Sequence, residues 1–130
     1  MKAITEIENL IGKFLQNIEI SKNQSRKTVE NYHHYLYRFS EFIGGKKTGE
    51  ISLDDVQNYQ VHLNRLKNEQ EKSLSVKTQN YHLIALRAFL KYLVKNDIKS
   101  LAPEKIDLKK IGERIVDFLT REEVERLFEA

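Results

Sequence analysis

Two tetrapeptides fifty residues apart, Ser25-Arg26-Lys27-Thr28 and Ser75-Val76-Lys77-Thr78, share a serine, a lysine and a threonine in one register. A serine ahead of a helix-compatible run is an N-cap, its hydroxyl accepting a backbone N–H from the first turn. The lysine is the unexpected member. A helix start is already positive, through the macrodipole and through N–H groups lacking intrahelical acceptors, so a cation there costs a few tenths of a kcal/mol. The other starts in this chain, Thr5-Glu6-Ile7-Glu8, Ser52-Leu53-Asp54-Asp55 and Thr120-Arg121-Glu122-Glu123, carry the carboxylates that the dipole favours. Two starts that break the rule alike point to an anion docked on each, and phosphate is the natural candidate. The echo extends to Leu36 and Leu86 and to Phe39 and Phe89. Two well-capped amphipathic helices would share that much; they would not need the common Lys-Thr pair.

Projected at a hundred degrees per residue, Lys27, Asn31, His34 and Arg38 fall on one face, opposite Val29, Leu36 and Ile43. In the second segment Lys77, Asn80, Arg87, Lys91 and Lys95 make a narrow polar strip on an otherwise apolar helix. Thr28 and Thr78 adjoin these faces. Lysine and arginine neutralise phosphates, and asparagine or arginine can read a base edge in the major groove, so the combination suits DNA. A plain solvated face would mix both signs more evenly. The charge is segregated: residues 21–49 hold six basic and two acidic side chains and residues 75–100 hold five and one, while the remaining segments are net negative. A formal net charge of only +3 therefore conceals two basic helices.

Other constellations offer less chemistry. His33 and His34 are adjacent, so their rings point about a hundred degrees apart on a helix and cannot chelate one ion; His62 and His82 are distant in sequence. His34 is expected on DNA instead. Asp54-Asp55 is explained by capping, and Gly44-Gly45 and Gly49 follow no strand that would make a nucleotide cradle. Tyr32, Tyr59 and Tyr92 read as core residues with wet hydroxyls. No catalytic residue, cofactor or metal site is predicted. The chain has no cysteine, which excludes disulfide and thiolate chemistry and fits a reducing cytoplasm. No apolar run is long enough for a signal core or a membrane span, so no membrane partner is expected.

The elements that must position these residues read as all-α. The 130 residues are 40% apolar and 32% charged, a globular balance for one domain. Apolar spacing of three and four predicts α1 over Ile4–Glu19, α2 over Arg26–Ile43, α3 over Leu53–Lys67 and α4 over Val76–Lys95. Gly44-Gly45 stops α2. The nearly all-round apolar α4 is the central helix. Beyond α4 the apolar pattern loosens and Pro103 interrupts it. A capping box at Thr120 and Glu123 opens a fifth helix just before the chain ends, as an N-terminal fragment of a longer protein would. The expected organisation is a compact bundle of four to five helices over 1–97, a linker over 98–117, and the first residues of a truncated second domain over 118–130.

The order of these pieces resembles the N-terminal SAM-like, core-binding domain of tyrosine recombinases, the phage integrases and Xer-type proteins. It is carried by Ser25 to Tyr32 with Leu36 and Phe39, by Ile51 to Val56, by Ser75 to Thr78 with Leu86, Arg87 and Phe89, and by Phe118 to Val124. It covers essentially the whole chain, and its specificity lies in order and spacing rather than in any one motif. The resemblance implies a helical clamp on one face of a DNA duplex, with a C-terminal catalytic domain closing on the other. It further implies other recombinase protomers as partners in a DNA-bound tetramer. It assigns Lys27, Thr28, Asn31, Lys77 and Thr78 to the DNA interface, whereas His34, Arg38, Asn80, Arg87 and Lys91 rest on the face projection. The family's catalytic arginines, histidine, lysine and tyrosine are implied to lie in the C-terminal domain, outside this chain. Glu30 departs from the pattern, an acid on the DNA side of α2. A competing class is a helical protein-interaction module whose basic face meets an acidic partner. A helix-turn-helix repressor is disfavoured, because no two helices are joined by a turn of three or four residues.

Overall fold

The structure is a computed structural model that describes residues 4–109. Four α-helices succeed one another, α1 Glu6–Ile20, α2 Arg26–Ile43, α3 Leu53–Arg65 and α4 Val76–Lys95, with 3₁₀ turns at Thr48–Glu50 and Pro103–Lys105. The bundle is all-helical, as its periodicity predicts; the expected fifth helix at Thr120 lies outside the described residues. Ser25 and Ser75 cap identically, each hydroxyl oxygen accepting the N–H of the threonine three residues on at 3.1 Å. Each serine also lies 3.0 Å from that threonine's hydroxyl. Gly44 ends α2 with a φ of 66°, a conformation that glycine adopts without strain.

Helix α3 stops two residues earlier than its apolar pattern suggests. Leu66 turns extended and Lys67 pairs with Ser73 across a tight loop, held by the Asn68 side chain on the N–H groups of Gln70 and Lys72. That asparagine gives the backbone an alternative to another helical turn.

Helix α4 is the hub. Its Leu83, Leu86, Phe89, Leu90 and Leu93 are fully buried against Ile7, Ile11 and Phe14 of α1, Leu36 and Phe39 of α2 and Val56, Tyr59 and Leu63 of α3. Phe14 meets Phe89 and Tyr92 at 5.7 and 5.4 Å between ring centres, and Phe39 meets Tyr59 edge-on at 5.0 Å. Truncating Phe89 to alanine would cost about 3–5 kcal/mol. The Tyr59 hydroxyl, expected to be wet, is instead enclosed with no protein partner among the described residues.

Residues 98–109 run back along α4 as a packed strap. Ile106 is 1% exposed and belongs to the core. An irregular segment lacks internal partners for its N–H and C=O groups, and side chains of the bundle supply them. Gln60 donates to the Asp107 carbonyl at 3.0 Å, and Arg87 Nη2 donates to the Ile106 carbonyl at 2.6 Å.

Candidate nucleic-acid interface

Helices α2 and α4 cross while running in opposite directions. Tyr35 and Arg38 meet His82 near the start of α4, whereas Tyr32 shares a surface depression with Ala88 and Tyr92 further along it. Between the two helices lies a shallow cleft lined by Thr28, Asn31, Tyr32 and Tyr35 on one side and Tyr81 and Ile84 on the other. Sequence reasoning brings Thr28 and Asn31 to this face and misses the two α4 residues opposite them.

The lysines at both helix starts are exposed, as are Lys91 and Lys95. Among the described residues the close ion pair is Lys46 with Asp55, at 2.8 Å. That pairing, with the N-cap bonds of Ser52, holds the Asp55 carboxyl below its ordinary range. Lys27, Lys77, Lys91 and Lys95 have no carboxylate within 4.0 Å among the described residues, so their charge is directed at solvent. Lys77 Nζ sits 6.0 Å from the centre of the Tyr81 ring.

Arg38 and His34 are joined by a histidine that the sequence does not single out. Arg38 Nη1 lies 3.0 Å from His82 Nε2, and His82 Nδ1 lies 2.8 Å from the Thr78 carbonyl oxygen. A guanidinium only donates, so Nε2 must accept, Nδ1 carries the proton, and the ring is neutral. Burial pushes the His82 pKa down, the Thr78 carbonyl opposes that, and Arg38 and His34 add to the lowering. His34 is exposed and is also held below its ordinary value, by partial burial and then by Arg38 and His33. Arg38 is thereby tied to α4 and half-buried.

Two expected interface residues are engaged elsewhere. Asn80 is 5% exposed, and its amide is spent on the strap: Nδ2 donates to the Lys109 carbonyl at 2.8 Å and Oδ1 accepts the Lys109 N–H at 2.9 Å. Arg87 is half-buried on the same flank, bonded to Ile106, with its Nε enclosed. The open line of α4 is therefore Lys77, Tyr81, Ile84, Lys91 and Lys95, with Ala88 half-buried among them, and its centre lies about 35° from that of the strip through Asn80 and Arg87. The α4 flank that carries Asn80 and Arg87 is covered by the strap.

The description "Phage integrase, N-terminal SAM-like domain" is that of the family model that matches residues 10–100. The chain belongs to this family. Its match runs from α1 through α4 and into the start of the strap. The chain is 31% identical over 124 residues to tyrosine recombinase XerC of Bacillus subtilis, a match spanning 95% of this chain and 40% of the relative. With tyrosine recombinase XerC of Pediococcus pentosaceus the identity is 32% over 126 residues, 93% of this chain and 40% of the relative. With that of Bacillus licheniformis it is 28% over 130 residues, 97% and 41%. The chain thus spans about two fifths of the length of the curated relatives it matches. No solved structure matches it. Among the described residues no helix of this SAM-like domain is long and apolar enough to cross a membrane.

Proposed function

We propose that this chain is the DNA-binding clamp domain of a site-specific tyrosine recombinase, holding a recombination half-site through α2 and α4. The observation that carries this is the set of cations on those two helices, Lys27, Lys77, Lys91 and Lys95, that no carboxylate within 4.0 Å neutralises among the described residues. Lys27 and Lys77 stand at the second position of their helices, where dipole and backbone N–H groups also favour an anion, so they take phosphates. Thr28 and Thr78, already bonded to the capping serines, border the same phosphates. Asn31 lines the cleft one turn along α2, where a short amide reaches a base edge. Arg38 and His34 extend the α2 face.

Cleavage and rejoining of strands belong to a C-terminal catalytic domain, reached through the linker that begins as the strap over α4 and continues to about residue 117. Residues 118–130, outside the described residues, are read as the first residues of that domain. The remaining partners are other recombinase protomers on the same DNA, in the cytoplasm.

Fluorescence anisotropy against duplexes of unrelated sequence, titrated with salt, tests the clamp. The isolated chain should bind all of them with Kd of about 10⁻⁴ to 10⁻⁶ M at physiological salt. About five phosphate contacts give a log–log salt slope of about −4 to −5, at roughly −0.9 each. A flat salt response refutes the proposal and leaves a protein-interaction surface in its place.

A further inference from the structure

The exposed line of α4 is not uniformly basic. Between Lys77 and Lys91 it carries Tyr81, 42% exposed, and Ile84, 38% exposed, followed by the half-buried Ala88. Single exposed apolar residues are ordinary. These are placed between cations, on the rim of a cleft whose other wall carries Thr28 and Asn31. The spacing has a measure in DNA. Tyr81 to Ala88 spans seven residues, about 10 Å of helix at 1.5 Å per residue, and the B-DNA major groove is about 12 Å wide. Lys77 lies one turn before this apolar segment and Lys91 three residues after it. A helix laid across the groove along this line therefore puts its apolar segment over the groove and a lysine over each flanking phosphate backbone.

The major-groove edge of DNA offers one apolar group, the C5 methyl of thymine. Ile84 matches it in chemistry, and the Tyr81 ring adds an apolar face beside it, with its hydrogen-bonding hydroxyl confined to the ring's far end. We infer that Tyr81 and Ile84 form an apolar reading surface for thymine methyl groups, biasing an otherwise sequence-tolerant clamp toward A·T pairs beneath α4. This rests on the DNA-binding proposal above and adds to it a reading role for α4 beside that of Asn31, and what α4 reads.

The test uses four duplexes of equal length: alternating A-T, the same with uracil for thymine, alternating G-C, and the same with 5-methylcytosine for cytosine. Each pair differs only by a major-groove methyl. At fixed salt the methylated member of each pair should bind about fourfold tighter for each methyl covered, the weight of one buried methyl group. Tyr81→Ala and Ile84→Ala should lose this preference while keeping the salt slope, and Ile84→Val should retain most of it. Both side chains are about three-fifths buried, so the alanine variants should melt several degrees below the parent, and binding is compared well below those melts. Equal binding within both pairs, or a preference that survives both alanine variants, overturns the inference and leaves the clamp intact. So does an Ile84→Ala variant that loses only self-association, which would give the patch to a second copy of the chain. Salt-independent behaviour on all four duplexes overturns the inference together with the clamp.

Discussion

Asn80→Ala separates an anchor for the strap from a reader of DNA, because the two roles forecast opposite outcomes. In the folded chain the Asn80 amide makes a reciprocal pair of bonds with the backbone of Lys109, at 2.8 and 2.9 Å. Two such bonds are worth about 2 kcal/mol net, at about 1 kcal/mol each. Alanine returns about 0.5 kcal/mol through its better helix propensity. Lys109 is half-buried rather than enclosed, so its released backbone groups can find water and add little desolvation cost. The expected loss is then about 1.5 kcal/mol, which for a domain of about 100 residues lowers Tm by roughly 6–12 °C. Amide exchange should accelerate first at Ile106 and Lys109, since the strap opens locally before the bundle does. Arg87→Met, which keeps the aliphatic stem and removes the bond to the Ile106 carbonyl, should loosen the same segment. DNA affinity and salt slope should stay at parental values in both variants. If Asn80→Ala melts with the parent and binds DNA more weakly, the strap assignment is wrong and the amide is a base reader.

The lysines make a contrasting case: Lys27→Ala and Lys77→Ala should weaken binding to every duplex and reduce the salt slope by about 0.9, one phosphate's worth. Their Tm should hold or rise slightly, because each removes a cation from the positive end of a helix, and parental affinity in either would refute the phosphate role. A pH series reports on His82, whose folded pKa is depressed from the ordinary 6.5. Between those two values the unfolded chain binds the extra proton, so stability should fall as pH drops through 6.5 and level off below the folded value. Tm measured from pH 8 to 5 should show that decline, shallower in His82→Gln, whose amide can still accept from Arg38; an identical decline in the variant would assign the proton elsewhere.

Helices α2 and α4 are legible to the residue because their signals are local. Serine caps set both starts, Gly44 ends α2 and the apolar period fills the rest. The lysines are legible for the same reason, since a helix start fixes which side chains meet the dipole whatever the tertiary structure does. The sequence pattern overruns α3 by two residues because the leucine period continues through Leu66, while the Asn68 turn that stops the helix has no periodicity to announce it. His82 gives no signal of its own because its partner Arg38 is 44 residues away.

Asn80 and Arg87 are misplaced by sequence for a more general reason. A helical projection says which side of α4 a polar residue occupies, but not what covers that side. On an otherwise apolar helix an amide or a guanidinium has two natural neighbours, water or backbone without a secondary-structure partner. The strap over 98–109 is irregular, so its peptide groups need side-chain partners wherever it leaves solvent. Asn80, Arg87 and Gln60 provide them for Lys109, Ile106 and Asp107, and Lys109 Nζ closes the arrangement onto Gln79 and Asn64. Once the strap claims that flank, the free face of α4 is left to lysines and to Tyr81 and Ile84. Sequence alone does not single those two out, because α4 is apolar around most of its circumference. Asn80 and Arg87 thus turn inward onto a segment whose path leaves no periodic trace in the sequence.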